Sequence, residues 1–146
     1  MISHVKMGNW IKHKVIQSPL YKNEINNNNH VGISVWGNFN FIIGNNIENH
    51  NEYGIKLFQC SFTLIKKNNF IENDCNAYFE NSGFNRWVRN YWDDRIGFRP
   101  KIIEGFILIP SYHDYGEGEK YPWQNFDWRP RIIPYNIGTA QGCDIF

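Results

Sequence analysis

The residues with the clearest capacity for chemistry are acidic and lie in or near the stretch NRWVRNYWDDRIG, residues 85–97. Glu72 and Asp94 occupy the same position in successive copies of a repeat of about 22 residues. If the copies stack as neighbouring β-strands, the two carboxylates lie about 5 Å apart. Close carboxylates raise the pKa of one member, which suits general acid–base cleavage of a polysaccharide. The predicted catalytic set is therefore Glu72, Asp94 and the adjacent Arg95.

The same carboxylates have two simpler interpretations. Asp94 ends the last repeat, where it can cap the turn and pair with Arg95 or Arg89 at the surface. A pair of carboxylates also offers the oxygen ligands that Ca²⁺ prefers, so calcium is the one cofactor the pattern allows. The sequence leaves catalysis, a surface ion pair and a calcium site open.

A transition-metal site is not predicted. The histidines and cysteines are His4, His13, His30, His50, His113, Cys60, Cys75 and Cys143. The histidines share no repeat position, and the cysteines are odd in number without a CxxC spacing. Copper therefore has no visible ligand set, and neither structural zinc nor a disulfide framework is indicated.

Aromatic side chains offer a second chemistry, the binding of sugars. Phe, Trp and Tyr make up 17% of the chain, and flat rings beside polar groups suit the faces of sugar rings. The predicted ligand-binding residues are Trp36, Lys56, Phe58, Tyr78, Trp123 and Trp128. In the alternative interpretation, Trp36 and Phe58 only stack on each other as neighbouring rungs and lie under the tail of the chain.

The repeat that positions these residues consists of like side chains spaced 22 or 23 residues apart. The apolar columns are Leu20, Ile42, Ile65, Trp87; Ile25, Ile47, Phe70, Trp92; Ile33, Ile55, Ala77; and Val35, Leu57, Phe79. Asn23, Asn45, Asn68 and Asn90 form a polar column, and Gly32, Gly54 and Asn76 form a column expected at positive φ. Apolar residues alternate within each copy, which indicates short strands. Each copy is predicted to be one coil of a parallel β-helix, with an amide ladder along the Asn column and Trp87 and Trp92 as a terminal plug.

The chain is predicted to divide into coils over 1–92, with a degraded first coil, and a C-terminal cap and tail over 93–146. Five prolines follow residue 99, and proline cannot donate to a strand ladder. This segment is therefore predicted to leave the coil and to cover its open end. Because no cap is visible before residue 11, we expect further coils upstream or pairing of the first coil with another chain.

The segments NNIENHNEYGIKLFQC, 45–60, and NNFIENDCNAYFE, 68–80, resemble the repeats of NosD-type proteins. That family is periplasmic and is named for maturation of the copper site of nitrous oxide reductase. It lies within the pectate-lyase-like, carbohydrate-binding and sugar-hydrolase group, and the run from 84 to 105 resembles the ends of such repeats in archaeal surface proteins. The resemblance spans about 20–135 and implies an all-β, right-handed single-stranded parallel β-helix. It also implies an extracellular, cell-surface or periplasmic location, although the N-terminus lacks the apolar core of a secretory signal.

The function predicted from these features is a non-catalytic interaction or surface module directed at a polysaccharide or glycan. The alternatives are part of a polysaccharide lyase or glycoside hydrolase and, less favoured, a copper-site accessory protein. With 15 basic and 14 acidic side chains, the chain has no charge signature for nucleic acid. Its longest apolar stretch is too short to insert into a membrane.

Overall fold

A computed structural model describes residues 11–14, 19–110 and 118–137, and for 11–14 it describes the backbone alone. Within these ranges the chain forms fourteen strands. They are β1 Ile11–Lys14, β2 Pro19–Tyr21, β3 Glu24–Asn26, β4 Ile33–Trp36, β5 Phe41–Ile43, β6 Asn46–Glu48, β7 Tyr53–Phe58, β8 Leu64–Lys66, β9 Asn69–Ile71, β10 Cys75–Glu80, β11 Arg86–Val88, β12 Tyr91–Trp92, β13 Lys101–Ile109 and β14 Glu119–Asp127.

The first twelve strands form four coils of three strands each. Corresponding strands of successive coils pair in parallel, so three flat faces run along the molecule. The first face contains β1, β4, β7 and β10; the second contains β2, β5, β8 and β11; the third contains β3, β6, β9 and β12. The apolar columns stack in register, for example Ile42 on Ile65 and Ile65 on Trp87. The predicted parallel β-helix is confirmed.

The core is the stack of inward columns. Every member of the four apolar columns is buried, and burying one such aliphatic side chain contributes about 2 kcal/mol. At the C-terminal end the Trp92 ring stacks on Phe70 with centroids 4.2 Å apart, and Trp87 lies 5.9 Å from Trp92. Both tryptophans are buried as the last members of their columns, and their role as a plug stays a prediction.

The asparagine column forms the predicted ladder. Asn45 donates to Asn68 from its backbone N and from Nδ2, at 2.9 Å each, and Asn68 donates to Asn90 in the same way at 3.1 and 3.0 Å. Asn23 makes the equivalent pair of bonds to Asn45 at 3.0 Å. Because an unpaired buried amide costs about 1–3 kcal/mol, the ladder strongly disfavours a slip of one coil against the next.

The glycine column does not have the predicted role. Gly32 and Gly54 do not adopt positive φ, and neither does Asn76. Glycine is required there by close approach instead, since a Cβ on Gly32 would lie 2.4 Å from His50 Nε2 and one on Gly54 would lie 2.7 Å from the Asn76 carbonyl oxygen. The left-handed turns contain other residues, among them Lys22, Gly44, Lys67 and Arg89 in one column.

The segment after the fourth coil departs from the prediction that it leaves the ladder. Strand β13 pairs in parallel with β10, and β14 returns antiparallel to β13 and adds to β11. The hairpin thus joins the first and second faces into one ten-stranded sheet. Ile103 on β13 is buried with the core, so the hairpin extends the stack at its C-terminal end. Pro122 is tolerated because β14 pairs with β11 only at Asp127, which leaves an unpaired edge of β14 at Pro122.

Candidate functional site

The first face carries two outward rows that cross the coils and continue onto the hairpin. One row runs through Ser34, Lys56, Tyr78, Glu104 and Gln124, and the other through Trp36, Phe58, Glu80, Phe106 and Pro122. Tyr53 stacks on Tyr78 beside these rows, and Trp123 lies between Pro122 and Gln124 on β14, where it pairs with Gly105. Together these residues form what we call the aromatic face. Outward side chains of adjacent strands lie about 5 Å apart, so rings and polar groups alternate at close spacing.

Contacts within the aromatic face hold its rings in place. Trp36 and Phe58 have centroids 4.6 Å apart, which confirms that they stack as rungs, and Trp36 is 44% exposed. Tyr53 and Tyr78 stack at 5.1 Å. Lys56 Nζ lies 5.6 and 5.9 Å from the centroids of these tyrosine rings. The lysine therefore bridges two rings, as cation–π contacts do.

Lys56 also neutralises the nearest carboxylate of the coils. Its Nζ lies 2.5 Å from Glu80 Oε1, and both side chains are partly buried. Burial raises the pKa of Tyr78, with a smaller contribution in the same direction from the charge of Glu80. The tyrosine is accordingly a neutral hydroxyl at ordinary pH, able to donate and accept hydrogen bonds.

A cleft of about 660 Å³ opens where the hairpin meets the fourth coil. Its lining includes Tyr78, Glu104, Trp123 and Gln124. The strands can approach here because Gly105 has no side chain: a Cβ would lie 2.1 Å from the Phe79 carbonyl oxygen. The cleft brings together two of the predicted ligand-binding residues, Tyr78 and Trp123, and Trp123 is 53% exposed.

The other predicted ligand-binding residues lie apart from this cleft. Trp36, Lys56 and Phe58 lie on the same face toward earlier coils. Trp128 lines a different groove, described below. Glu104 and Gln124 were missed because the hairpin register that places them beside Tyr78 follows no 22-residue pattern.

The predicted catalytic residues are engaged with other groups. Asp94 Oδ2 lies 2.5 Å from Lys101 Nζ, so the surface ion pair exists but with Lys101 in place of the predicted Arg95 or Arg89. Arg95 Nη1 lies 3.5 Å from the Arg99 carbonyl oxygen. Catalysis by Glu72, Asp94 and Arg95 stays a prediction.

Asp93, the neighbour of the predicted residue, holds the turn that contains Glu72. Its Oδ2 accepts from the Glu72 backbone N at 2.5 Å, and its Oδ1 accepts from Asn76 Nδ2 at 2.8 Å. Glu72 has φ 52, in the left-handed region. The carboxylate of Asp93 therefore serves a turn rather than an approaching substrate.

A second aromatic feature escaped the sequence prediction. Phe39, Phe62 and Phe84 stack at 5.2 and 5.5 Å with nearly parallel rings, and they are 51, 53 and 79% exposed. All three have φ between 54 and 59, a conformation that bulky residues rarely adopt. The spacing of 23 and 22 residues was available as a signal. It was overlooked because turn chemistry favours Gly or Asn at such positions.

Two of the potential soft metal ligands of the coils, His50 and Cys60, form hydrogen bonds within the fold. His50 Nδ1 accepts from the Asn28 backbone N at 3.2 Å, its Nε2 lies 3.1 Å from the Ile25 carbonyl oxygen, and burial lowers its pKa. The Cys60 thiol donates to the Val35 carbonyl oxygen at 2.9 Å, and burial raises its pKa to about 11. Both side chains are thus turned into structural groups rather than free ligands.

Across 19–110 and 118–137, no three His, Cys, Asp or Glu side chains lie close enough to hold a metal ion. The donor set described there does not fit copper. The sequence prediction on metal ligands also considered His4, His113, Cys143 and His13. The first three lie outside the described residues, as does the side chain of His13. The calcium prediction also stays open.

Fold and surface together define a class of protein: a parallel β-helix extended at its C-terminal end by a hairpin, with an exposed aromatic face. The family model described as "Periplasmic copper-binding protein (NosD)" matches residues 8–100, well over half of the chain. The chain belongs to this family, as its repeats indicated. No curated protein and no solved structure matches it. In the part of the chain that the structure describes, no helix is long and apolar enough to cross a membrane.

Proposed function

We propose that this chain is a non-catalytic module that binds a carbohydrate through its aromatic face. The observation that carries the proposal is the cleft whose lining includes Tyr78, Trp123, Glu104 and Gln124. A sugar presents apolar C–H faces and a rim of hydroxyl groups. Aromatic rings suit the first, and carboxylate and amide groups at fixed positions suit the second.

The arrangement of the face favours an extended ligand. The two outward rows cross the five strands β4, β7, β10, β13 and β14, which gives an oligosaccharide a continuous surface rather than a single pocket. The Trp36 and Phe58 rings hold each other in place, as do those of Tyr53 and Tyr78, so these four side chains lose little freedom on binding. We therefore propose an oligosaccharide lying across the strands, with Trp123 and Tyr78 at its most enclosed contact.

Binding is favoured over cleavage by the state of the carboxylates. Glycosidic cleavage uses two carboxyl groups that flank the bond, one of them as an acid. Glu80 is paired with Lys56, and Asp94 is paired with Lys101. The described coils offer no comparable reason to propose copper binding, although the family is described as periplasmic and copper-binding. We place the chain outside the cytoplasm on the basis of that family description.

The proposal is tested by screening an oligosaccharide array with the full chain and measuring the affinity for the best ligand by calorimetry. Trp123→Ala and Tyr78→Ala should each weaken binding about tenfold or more, the loss expected of an aromatic side chain at the centre of a binding surface. Phe84→Asn is the matched control. It removes a ring that is more exposed than those of Trp123 and Tyr78 from another part of the surface, and asparagine accepts the left-handed conformation.

Two results would contradict the proposal. One is the absence of any oligosaccharide that binds the wild-type chain. The other is a ligand whose affinity falls as much in Phe84→Asn as in the two cleft variants, because binding would then not depend on the cleft.

A further inference from the structure

We propose that a second site, a groove on the second face, binds acidic polysaccharide through a row of lysine and arginine side chains. The groove runs along the seam between β11 and β14. We call it the basic groove and define it by Lys66, Lys67, Arg86, Arg89, Arg129 and Arg131. The inference rests on the proposed function in one respect, that the polymer is a polysaccharide. It adds a separate site and the chemical class of its ligand.

The groove is continuous. One part, of about 700 Å³, is lined by Lys66, Arg86 and Trp128 among others, and a second part, of about 650 Å³, contains Arg131 and Tyr135. Lys67, Arg89 and Arg129 line both parts. A linear ligand can therefore contact cations along the whole length.

Among the residues that the structure describes, no carboxylate forms an ion pair with these cations. The ion pairs of the described chain are His30–Glu52, Lys56–Glu80 and Lys101–Asp94, and none involves a residue of the basic groove. The acidic residue in its lining, Asp127, is fully buried. Because the whole chain has a net charge of only +1, this local excess of positive charge is a feature of one face rather than of the chain.

Asp127 directs its charge inward. Its oxygens accept hydrogen bonds from the backbone N of Arg89 at 3.1 Å and of Asn90 at 2.8 Å, and from Trp92 Nε1 at 3.2 Å. The carboxylate is thus committed to the end of the asparagine ladder. It fixes the backbone from which the Arg89 side chain projects.

At two residues of the groove, Lys67 and Arg89, the backbone adopts the left-handed conformation, which is unfavourable for a residue with a Cβ. The turn does not require a long side chain there, because glycine occupies the same position in another coil. Lys67 and Arg89 both have φ 54, Lys22 in the same column has φ 52, and the fourth member of the column is Gly44. Glycine adopts this conformation freely, whereas residues with a Cβ are strained in it. The column runs along the molecule with one rung per coil, about 4.8 Å apart, so its cations form a track for a linear polyanion.

The far wall of the groove is fixed to the coils. Tyr135 and Asn69 exchange two hydrogen bonds of 2.8 and 2.9 Å, and the Tyr135 hydroxyl donates to the Arg89 carbonyl oxygen at 2.7 Å. The Arg131 guanidinium lies 4.6 Å from the Tyr135 ring centroid. Guanidinium groups held in this way bind carboxylate or sulfate with two parallel hydrogen bonds, and the exposed Trp128 ring offers a surface for a sugar.

The test measures dissociation constants of the full chain for fluorescent alginate oligosaccharides, dextran sulfate, a neutral cello-oligosaccharide and double-stranded DNA. Lys67→Asn and Arg89→Asn should each weaken binding of the acidic polysaccharide about tenfold, and binding should weaken with added salt. Both variants should fold, because asparagine tolerates the left-handed turn. Lys120→Asn removes one exposed positive charge outside the groove and should leave the affinity unchanged. The preference between alginate and dextran sulfate identifies the anionic group.

The inference is overturned if Lys120→Asn weakens binding as much as the groove variants do, or if DNA binds more tightly than both acidic polysaccharides. It is also overturned if Lys67→Asn and Arg89→Asn together leave the affinity unchanged. Failure of the two sites is distinguishable. If the affinity depends on Lys67 and Arg89 but not on Trp123, the aromatic-face proposal alone is rejected. If the affinity depends on Trp123 but not on Lys67 and Arg89, the basic groove alone is rejected.

Discussion

His50 stands in a column whose other members are Asn28 and Asn73. Its Nδ1 accepts from the Asn28 backbone N, and its own backbone N donates to Asn73 Oδ1. The Nε2 lies 3.1 Å from the Ile25 carbonyl oxygen, so the neutral ring donates there. The imidazole occupies the place of an asparagine amide within a buried ladder. This explains why a residue that could ligate copper is instead part of the fold.

This arrangement predicts a pH-dependent stability. Burial lowers the pKa of His50 in the folded chain, whereas in the unfolded chain it stays near 6.5. The contribution of His50 to stability is therefore complete above the unfolded pKa and is lost as the pH falls toward the lowered folded pKa. His50→Asn should remove this dependence on pH, because an asparagine side chain does not titrate. The variant should still fold, because an asparagine at this position can form the two hydrogen bonds that Asn73 forms one coil later.

The measurement is the free energy of unfolding in urea at about pH 7.5 and pH 5. The wild-type chain should lose more stability between these values than His50→Asn. Equal losses in the wild type and His50→Asn would show that His50 does not couple folding to pH.

Among the elements, the hairpin of β13 and β14 determines how the repeat ends. The asparagine ladder needs an acceptor after Asn90, and Asp127 on β14 supplies it. Asp127 Oδ2 accepts from the backbone N of Asn90 and from its Nδ2, at 2.8 and 3.0 Å. A carboxylate with no donor of its own is well suited to terminate a row of amides, since every group that faces it is an N–H.

Replacement of Asp127 should therefore destabilise the chain strongly. Asp127→Ala should lower the free energy of unfolding by about 3 kcal/mol, because several buried N–H donors lose their acceptor. Asp127→Asn should cost less, since it keeps one acceptor oxygen. Glu119→Ala, an exposed change on the same strand, should stay within about 0.5 kcal/mol of the wild type. Chemical denaturation measures all three, and a loss for Asp127→Ala no larger than that of Glu119→Ala would rule out this role.

The coils could be predicted from sequence and the hairpin could not, for a physical reason. Coils repeat because like side chains stack, so Leu20, Ile42, Ile65 and Trp87 reveal the register directly. The hairpin pairs by a register that no earlier copy displays, and the prolines of the tail concealed its strands. The sequence accordingly predicted two of the four residues discussed in the cleft, Tyr78 and Trp123. Glu104 and Gln124 could be identified only from the structure, because it alone gives the register of the hairpin.

At the scale of the whole molecule, the first and second faces expose different kinds of side chain. The first face presents rings bridged by Lys56 and closed by Trp123, and the second presents the basic groove beside Trp128. The hairpin contributes to both, since β13 and β14 join the two faces. A polysaccharide that contacts both surfaces would gain from two linked sites, which raises overall affinity without new contacts at either.

The family description names copper, whereas the described surface is aromatic on one side and basic on another. A fold shared with a family does not determine the ligand, because function depends on the site. Two side chains that could bind copper, His50 and Cys60, are engaged within the coils. The predicted catalytic residues Glu72 and Asp94 remain the alternative that a direct measurement must address.

The most direct test is to incubate the wild-type chain with its best oligosaccharide ligand and to analyse the bound sugar by mass spectrometry. We predict that the oligosaccharide binds, is recovered at its original length, and is no longer retained by Trp123→Ala. Glu72→Gln and Asp94→Asn should leave its binding unchanged. Shortened or unsaturated products that disappear in Glu72→Gln and Asp94→Asn would contradict the account and identify the chain as a polysaccharide-cleaving enzyme.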